Sequence, residues 1–235
     1  MFRRFFLVLV VLFLLGSCKN SPKNDNSWKE VYKNAYTNHD YNTAVVALNH
    51  LIITDSANIK VHYDSLVNYY FKRLNNYSAA KKTIDKAMDL NPENAKLMAI
   101  KGVFLAEDGK VDEAREIYQK AFKQSGENKY LYMYAATYAT SNNLPEYLRI
   151  VNGILYNSAT KPELVEVPAD EETFQMVDLR AILYTDRVNI LAGSGSKDGA
   201  AMLSYLDSAL MISPDYKQAL LMKNKLISGM PAPRN

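Results

Sequence analysis

The chain has 235 residues and a formal net charge of +3 at pH 7, from 28 Lys and Arg against 25 Asp and Glu. This balance lacks the basic excess of nucleic-acid-binding proteins, so no nucleic-acid partner is expected. The single cysteine excludes an intramolecular disulfide and a metal site built from cysteines. With 48% hydrophobic residues, nine Gly and eight Pro, the composition favours helices around a core over disorder.

The N-terminus has the three-part pattern of a secretory signal. Arg3 and Arg4 precede an uninterrupted apolar run from Phe5 to Leu15, and small residues follow it. A helix needs about 20 apolar residues to span a bilayer, so this run is too short for a membrane helix. We therefore predict that residues 1–17 are a signal peptide that is cleaved on export.

The signal ends in Leu15-Gly16-Ser17-Cys18, which resembles the bacterial lipobox. The resemblance implies that Cys18 carries a diacylglycerol and an acyl chain such as palmitate, since one chain alone anchors a protein only marginally. The alternative is an ordinary secretory signal that happens to contain a cysteine. The polar residues after Cys18 predict a lipidated, flexible tether over 18–26. Without Arg3 and Arg4 the net charge falls to +1.

An internal repeat marks the middle of the chain. Ala80 and Ala87 recur 34 residues later as Ala114 and Ala121. This period is the spacing of tetratricopeptide repeats (TPRs), so the sequence resembles the TPR family. The resemblance implies helix pairs that pack closely through small residues such as Gly102. It predicts an all-α fold, a TPR-like α-solenoid of about five helix pairs plus a C-terminal capping helix. The alternative is a generic helical bundle.

The repeat domain is predicted to cover 27–228. Ser27 and Glu30 have the spacing of a capping box, which would open the first helix. Asn91-Pro92 is predicted to end one repeat and to open the next, with Asn91 as the N-cap of the helix that follows.

An interruption of the array is predicted at 157–172. This segment contains two prolines and five acidic residues, and it is long for a connection between helices. We interpret it as an insertion loop, followed by a helix over 173–192. A disordered tail is predicted at 229–235.

The sequence contains no recognisable catalytic or metal-binding motif. His39, His50 and His62 form no HExxH pair, and there is no Gly-x-Ser-x-Gly elbow. Gly193–Gly199 looks like a phosphate-binding loop but lacks the Walker spacing and a preceding strand, so we predict a turn between helices. We predict a non-enzyme without a metal or a cofactor, apart from the lipid at Cys18. A metal site assembled only by folding is the alternative.

In TPR proteins the first helix of each pair lines a concave face that binds peptides or partner domains. Helical spacing and the resemblance together select twelve inward-pointing residues. They combine cations with aromatic rings, and Tyr and Arg are residue types enriched at binding hot spots. Such a surface suits an acidic or mixed peptide. The alternative is that several of them pack the superhelix or face water. The candidate partner-binding residues are Lys29, Lys33, Tyr36, His62, Tyr69, Lys72, Arg73, Lys96, Val103, Tyr130, Met133 and Thr137.

These observations predict a membrane-anchored scaffold for protein–protein interaction in the cell envelope. We expect it at the outer membrane, facing the periplasm, with a protein or peptide partner. The alternative is a ligand- or glycan-binding accessory lipoprotein of an uptake complex, with the 157–172 insertion forming part of its site.

Overall fold

The computed structural model describes residues 25–157, 161–170 and 173–229. The predicted signal peptide and the lipidation site Cys18 lie outside the described residues, as does the predicted tail apart from Gly229. Helices dominate these ranges, as the predicted all-α class requires. None of the helices within them is long and apolar enough to cross a membrane.

The chain divides into two compact units, Met1–Pro92 and Glu93–Asn235. The described part of the first unit forms two helix pairs. Asp40 and Asn76 open the second helix of each pair, where their side chains accept hydrogen bonds from backbone N–H groups. Its segments are α1 Asp25–Thr37, α2 Tyr41–Thr54, a 3-10 turn Ser56–Asn58, α3 Ile59–Asn68 with a π-helical turn Tyr69–Arg73, and α4 Tyr77–Leu90.

Two predictions about helix ends are wrong. α1 begins at Asp25, so Ser27 lies inside the helix and opens nothing. Asn91 ends α4, and its Nδ2 donates to Asp64 Oδ2 at 2.8 Å. The N-cap of the following helix is Asn94, whose Oδ1 accepts from two backbone N–H groups. Several polar residues near a helix end can cap it, and spacing alone does not select among them.

The described part of the second unit forms three helix pairs, a β-hairpin and a final helix. Together, the described residues of the two units give the predicted five pairs and the closing helix. The turn predicted at Gly193–Gly199 is confirmed, since one helix ends at Gly193 and the next begins at Gly199. The segments are α5 Ala95–Glu107, α6 Val111–Ser125, α7 Asn128–Thr140, α8 Leu144–Tyr156, β1 Leu164–Pro168, β2 Phe174–Asp178, α9 Leu179–Gly193, α10 Gly199–Ile212 and α11 Lys217–Gly229.

Close packing through small residues is clearest between α5 and α6. Gly102 lies against the ring of Tyr118, and a Cβ at Gly102 would come within 2.7 Å of Tyr118 Cζ. Ala114 and Ala121 on α6 are fully buried. The small residue on one helix therefore makes room for the large residue on the other, as the repeat pattern predicts.

The predicted insertion loop is instead built around a β-hairpin. β1 and β2 pair antiparallel, with Val165 opposite Val177 and Glu166 opposite Met176. Val165 and Val177 pack into the core of the second unit, whereas Met176 is 55% exposed. The helix predicted from residue 173 begins only at Leu179. The prediction was wrong because the alternation of exposed and more buried residues over 174–177 has the period of a strand.

Candidate protein-binding surfaces

In the first unit, α1 carries an exposed candidate surface. Lys33 is exposed, and the ring of Tyr36 is 60% exposed. Lys29 also reaches solvent, but its Nζ lies 2.9 Å from Asp55 Oδ2. The charge of Lys29 is therefore shared with an internal carboxylate, while Lys33 and Tyr36 present a cation and a ring to solvent.

The carboxylate of Asp55 is the centre of a buried polar cluster. Besides Lys29, it accepts from Asn58 Nδ2 at 3.0 Å, and His62 Nε2 lies 3.2 Å from its Oδ2. The hydrogen bonds from Lys29 and Asn58 lower the pKa of Asp55 to about 2. His62 is only 8% exposed, so this predicted groove residue lies in the interior. Its bond to Asp55 satisfies a buried polar group and explains the position.

Tyrosines form a second cluster in the first unit. Tyr69 is 6% exposed, its Oη lies 3.3 Å from that of Tyr32, and burial raises its pKa. The Tyr41 ring lies 5.7 Å from the Tyr69 ring, and the guanidinium of Arg73 lies 5.7 Å from the Tyr41 ring. Tyr69 was predicted to line the groove, yet it fills the core. The contribution of Tyr32 was missed, although its spacing of four from Tyr36 on one helix signals a shared face.

In the second unit, as in the first, some of the predicted partner-binding residues are accessible and others are buried. Lys96 on α5 is exposed, and Val103 and Met133 are half-buried. Tyr130 and Thr137 on α7 are each 5% exposed. Helical spacing identifies the face on which a residue lies, but neighbouring elements decide how much of that face remains accessible. The eight predicted residues that keep accessible surface are Lys29, Lys33, Tyr36, Lys72, Arg73, Lys96, Val103 and Met133.

Thr137 has a structural partner that accounts for its burial. Its Oγ1 accepts from Arg115 Nε at 3.0 Å and donates to the carbonyl of Tyr134 at 2.7 Å. Arg115 also donates to Ser141 Oγ and lies over the ring of Tyr138, 4.3 Å from its centre. This set of contacts joins α6 to α7 and leaves Thr137 little surface for a partner.

A half-buried carboxylate that the sequence analysis did not identify lies on α9. Asp186 Oδ2 accepts from Tyr132 Oη at 2.6 Å and from Tyr147 Oη at 2.8 Å. Burial raises the pKa of Asp186, and the two hydroxyl bonds oppose that shift. The three side chains come from α7, α8 and α9, so no local sequence pattern could have brought them together.

The segment before the hairpin is fixed to the start of α7. Both carboxylate oxygens of Glu163 accept from the backbone, at 2.6 Å from Asn128 N and 2.9 Å from Lys129 N. A carboxylate at a helix N-terminus satisfies orphan donors and complements the helix dipole. Beside it lies an open cleft of about 390 Å³, lined by Gly126, Glu127, Asn128, Asn157, Lys161, Pro162 and Glu163. Across the described ranges, no group of three or more His, Cys, Asp or Glu side chains could hold a metal ion.

Comparison with known proteins identifies the fold but not a family. No protein-family model matches the sequence, and no curated protein does. Among solved structures, the TPR protein TTC0263 of Thermus thermophilus is similar with a TM-score of 0.58 and 10% identity, over 87% of this chain and 99% of that one. YrrB, a TPR protein with an unusual peptide-binding site, has a TM-score of 0.52 and 18% identity, over 87% and 94%.

A third similar structure is the Cut9–Hcn1 hetero-tetramer of the APC/C, with a TM-score of 0.56 and 15% identity. The match covers 88% of this chain but only 37% of that one, so this chain spans about a third of its length. At these identities the similarity shows the fold alone. The chain has a TPR-like α-solenoid fold, as predicted, and the generic bundle is excluded.

Proposed function

We propose that this protein is a scaffold that binds a protein or peptide partner through the exposed faces of its helix pairs, without catalysis of its own. The observation that carries the proposal is the repeated helix-pair fold, which it shares with TPR proteins such as YrrB. Such folds present extended binding surfaces rather than one deep pocket.

The surface best suited to a partner in the first unit is α1. Lys33 offers a cation and Tyr36 an exposed ring, one helical turn apart. Aromatic rings that stand exposed on a rigid helix bind partners at low entropic cost. We propose that a segment of the partner lies along this helix.

The test is co-purification from cross-linked, detergent-solubilised cell envelopes. The double variant Lys33→Glu with Tyr36→Ala should lose the partner proteins that the wild type recovers. Lys120→Glu, at an exposed site on α6, is the matched control and should recover them. Equal recovery by the double variant and the control would reject α1 as the binding surface.

We also propose that the chain is lipid-anchored at Cys18 and lies in the cell envelope, at the outer membrane facing the periplasm. The support is the lipobox-like Leu15–Cys18 at the end of an apolar run. Cys18→Ala should move the protein from the membrane fraction to the soluble fraction and remove the lipid mass. A variant that stays in the membrane fraction with unchanged mass would contradict the anchor.

The alternative role, binding a ligand or glycan at the insertion, has one supporting observation, the cleft of about 390 Å³ beside Glu163. Its volume is within the usual range for ligand sites. However, none of the seven residues that line it is aromatic, so it offers no ring on which a sugar could stack. The scaffold function is therefore the better supported of the two.

A further inference from the structure

Arg187 on α9 has an unusual environment. Its guanidinium lies close to two aromatic rings, 5.8 Å from the centre of Tyr156 and 5.5 Å from the centre of Tyr205. The Tyr205 ring in turn stacks on Tyr184 at 6.2 Å. Nε and Nη2 of Arg187 are buried, and within the described part of the chain neither has a hydrogen-bond partner.

The other arginines described in the second unit use these same two nitrogens. Arg149 donates from Nε and Nη2 to the two carboxylate oxygens of Glu146, at 2.8 and 2.6 Å. Arg180 binds Asp178 in the same way, at 3.0 and 2.8 Å. Arg115 uses its Nε and Nη2 for oxygens of α7 and of Ser141. Among the four, Arg187 alone leaves this edge of the guanidinium without an acceptor.

The nearby acceptors do not satisfy this edge. The neighbouring carboxylate, Asp186, accepts from Tyr132 and Tyr147. Asn152 lies one turn before Tyr156 on α8, and its Oδ1 is itself buried without a partner. A buried charged donor is unfavourable unless it is paired, so its persistence in a folded protein calls for an external partner.

The geometry of the unpaired edge indicates the chemistry of that partner. Nε–H and Nη2–H lie parallel on one side of the guanidinium and match the two oxygens of a carboxylate. Because the two nitrogens are buried, a charge-assisted hydrogen bond made there is stronger than one made in water. Both nitrogens are buried in the free chain, so a carboxylate reaches them by displacing a flanking side chain, and the Tyr156 ring is 63% exposed.

We infer that the Nε–Nη2 edge of Arg187, close to Tyr156 and Tyr205, is a binding site for a carboxylate group from an acidic segment of the partner protein. The protein source of the carboxylate rests on the proposed scaffold function, whereas the carboxylate site itself does not. None of the twelve residues selected from the sequence belongs to this site.

The test uses propionate as the probe and the purified full chain labelled with ¹⁵N. The Arg187 Nε–H resonance, assigned by its absence in Arg187→Lys, should shift saturably with a dissociation constant in the millimolar range. Propionamide has the same shape without the charge and should give no saturable shift. Arg149 Nε–H is the internal control, because Glu146 already occupies its edge. Chain folding is monitored by circular dichroism.

Variants distinguish binding by the paired donors of the guanidinium from binding by positive charge alone. Arg187→Lys keeps the charge but lacks the paired donors, so propionate binding, read from the backbone amides around the site, should weaken at least about tenfold. Tyr156→Leu changes an exposed side chain and should retain the fold while weakening binding a few-fold. A linear shift equal to that of Arg149, equal binding of propionamide, or tighter binding of inorganic phosphate would each overturn the carboxylate site. The carboxylate site would also be overturned if the Arg187 Nε–H is already hydrogen-bonded in the free protein, for example to Asn152.

Co-purification then tests the source of the carboxylate. Arg187→Lys should recover less of the envelope partner than Arg149→Lys does. Propionate binding by the wild type with unchanged partner recovery by Arg187→Lys would overturn the partner protein as the source. Failure of the Lys33 and Tyr36 double variant to lose the partner would instead count against the proposed α1 surface, and would leave the carboxylate site standing.

Discussion

The third and fifth helix pairs, α5–α6 and α9–α10, share the helix-pair fold but differ in the contacts that stabilise them. The third pair places Gly102 against Tyr118 and buries the alanines of α6, so that contact is small against large. The fifth pair carries Asp186, which contacts α7 and α8, with Arg187 beside it, and a β-hairpin packs against the pair.

The comparison shows that two repeats can keep the same helix-pair backbone while one is stabilised by apolar packing and the other by side-chain hydrogen bonds. Apolar packing within the third pair depends on volume and needs no particular outside partner. In contrast, the Asp186 carboxylate accepts hydrogen bonds from the hydroxyls of Tyr132 on α7 and Tyr147 on α8. The fifth pair is therefore tied to the fourth by specific hydrogen bonds, and polar groups that serve binding can be held there.

The largest expected effect comes from overpacking the third pair. Ala114→Trp places a large side chain at a fully buried position and should lower the free energy of unfolding by roughly 1–3 kcal/mol. Urea denaturation measures this change. Ala139→Trp, at an exposed position on α7, is the control and should be nearly neutral. An unchanged midpoint for Ala114→Trp would contradict the repeat alignment.

The fifth pair should respond to the loss of a polar group rather than to a change of volume. Asp186→Ala leaves the hydroxyls of Tyr132 and Tyr147 buried without an acceptor, which should cost about 2 kcal/mol of stability. Asp207→Ala removes an exposed acid on α10 that pairs with Lys223, and it should change stability far less. If the two alanine variants unfold at the same urea concentration, the tyrosine bonds to Asp186 contribute nothing.

A smaller effect is expected where the insertion meets the fourth pair. Glu163→Ala removes the acceptor for two backbone donors at the start of α7, which should lower stability by about 1 kcal/mol. It should also speed proteolysis at residues 161–163, just before the hairpin, since Glu163 fixes this part of the chain to the start of α7. Glu116→Ala on the exposed side of α6 provides the comparison. Identical proteolysis of the two variants would show that the cap does not restrain the insertion.

The smallest effect is a pH dependence that the fifth pair should show. Because burial raises the pKa of Asp186, the folded state holds its proton to higher pH than the unfolded state does. The contribution of Asp186 is therefore full below the ordinary pKa of 3.8 and declines as the pH rises through the raised value. Urea midpoints of the wild type relative to Asp186→Asn should decline over that range. A relative midpoint that climbs with pH would reverse the assignment.

Asp55 in the first unit should give the opposite slope. Its pKa is lowered to about 2, so its contribution is present above the ordinary value of 3.8 and is lost as the pH falls towards 2. The wild type should therefore gain stability relative to Asp55→Asn as the pH rises through this interval. A flat difference would show that Lys29 and Asn58 do not hold the carboxylate in solution.

Much of the architecture could be predicted because it depends on periodic apolar packing. The 34-residue recurrence of Ala80 and Ala87 identified the helix pairs, and the closing helix followed from the residues after Ser213. The hairpin could not be predicted from prolines and acidic residues, because strand pairing depends on a partner segment and on the core beneath it. Likewise, Glu163 caps a helix that begins 35 residues earlier in the chain.

The candidate surface was only partly predictable. Lys33, Tyr36 and Lys96 keep the exposure that helical spacing predicts, whereas His62 and Thr137 are buried by contacts with Asp55 and Arg115. Spacing along one helix determines direction, but accessibility depends on what packs against that helix.

The sequence by itself therefore determined the repeat, the helix pairs and their small-against-large contacts, because these depend on residues a fixed distance apart. Only the tertiary structure decided which polar groups are paired. Asp186 accepts hydrogen bonds from tyrosines on two other helices, and Arg187 lies close to rings from α8 and α10 with two of its nitrogens unpaired. Hydrogen bonds are short and directional, so their partners depend on positions in space that no local spacing encodes.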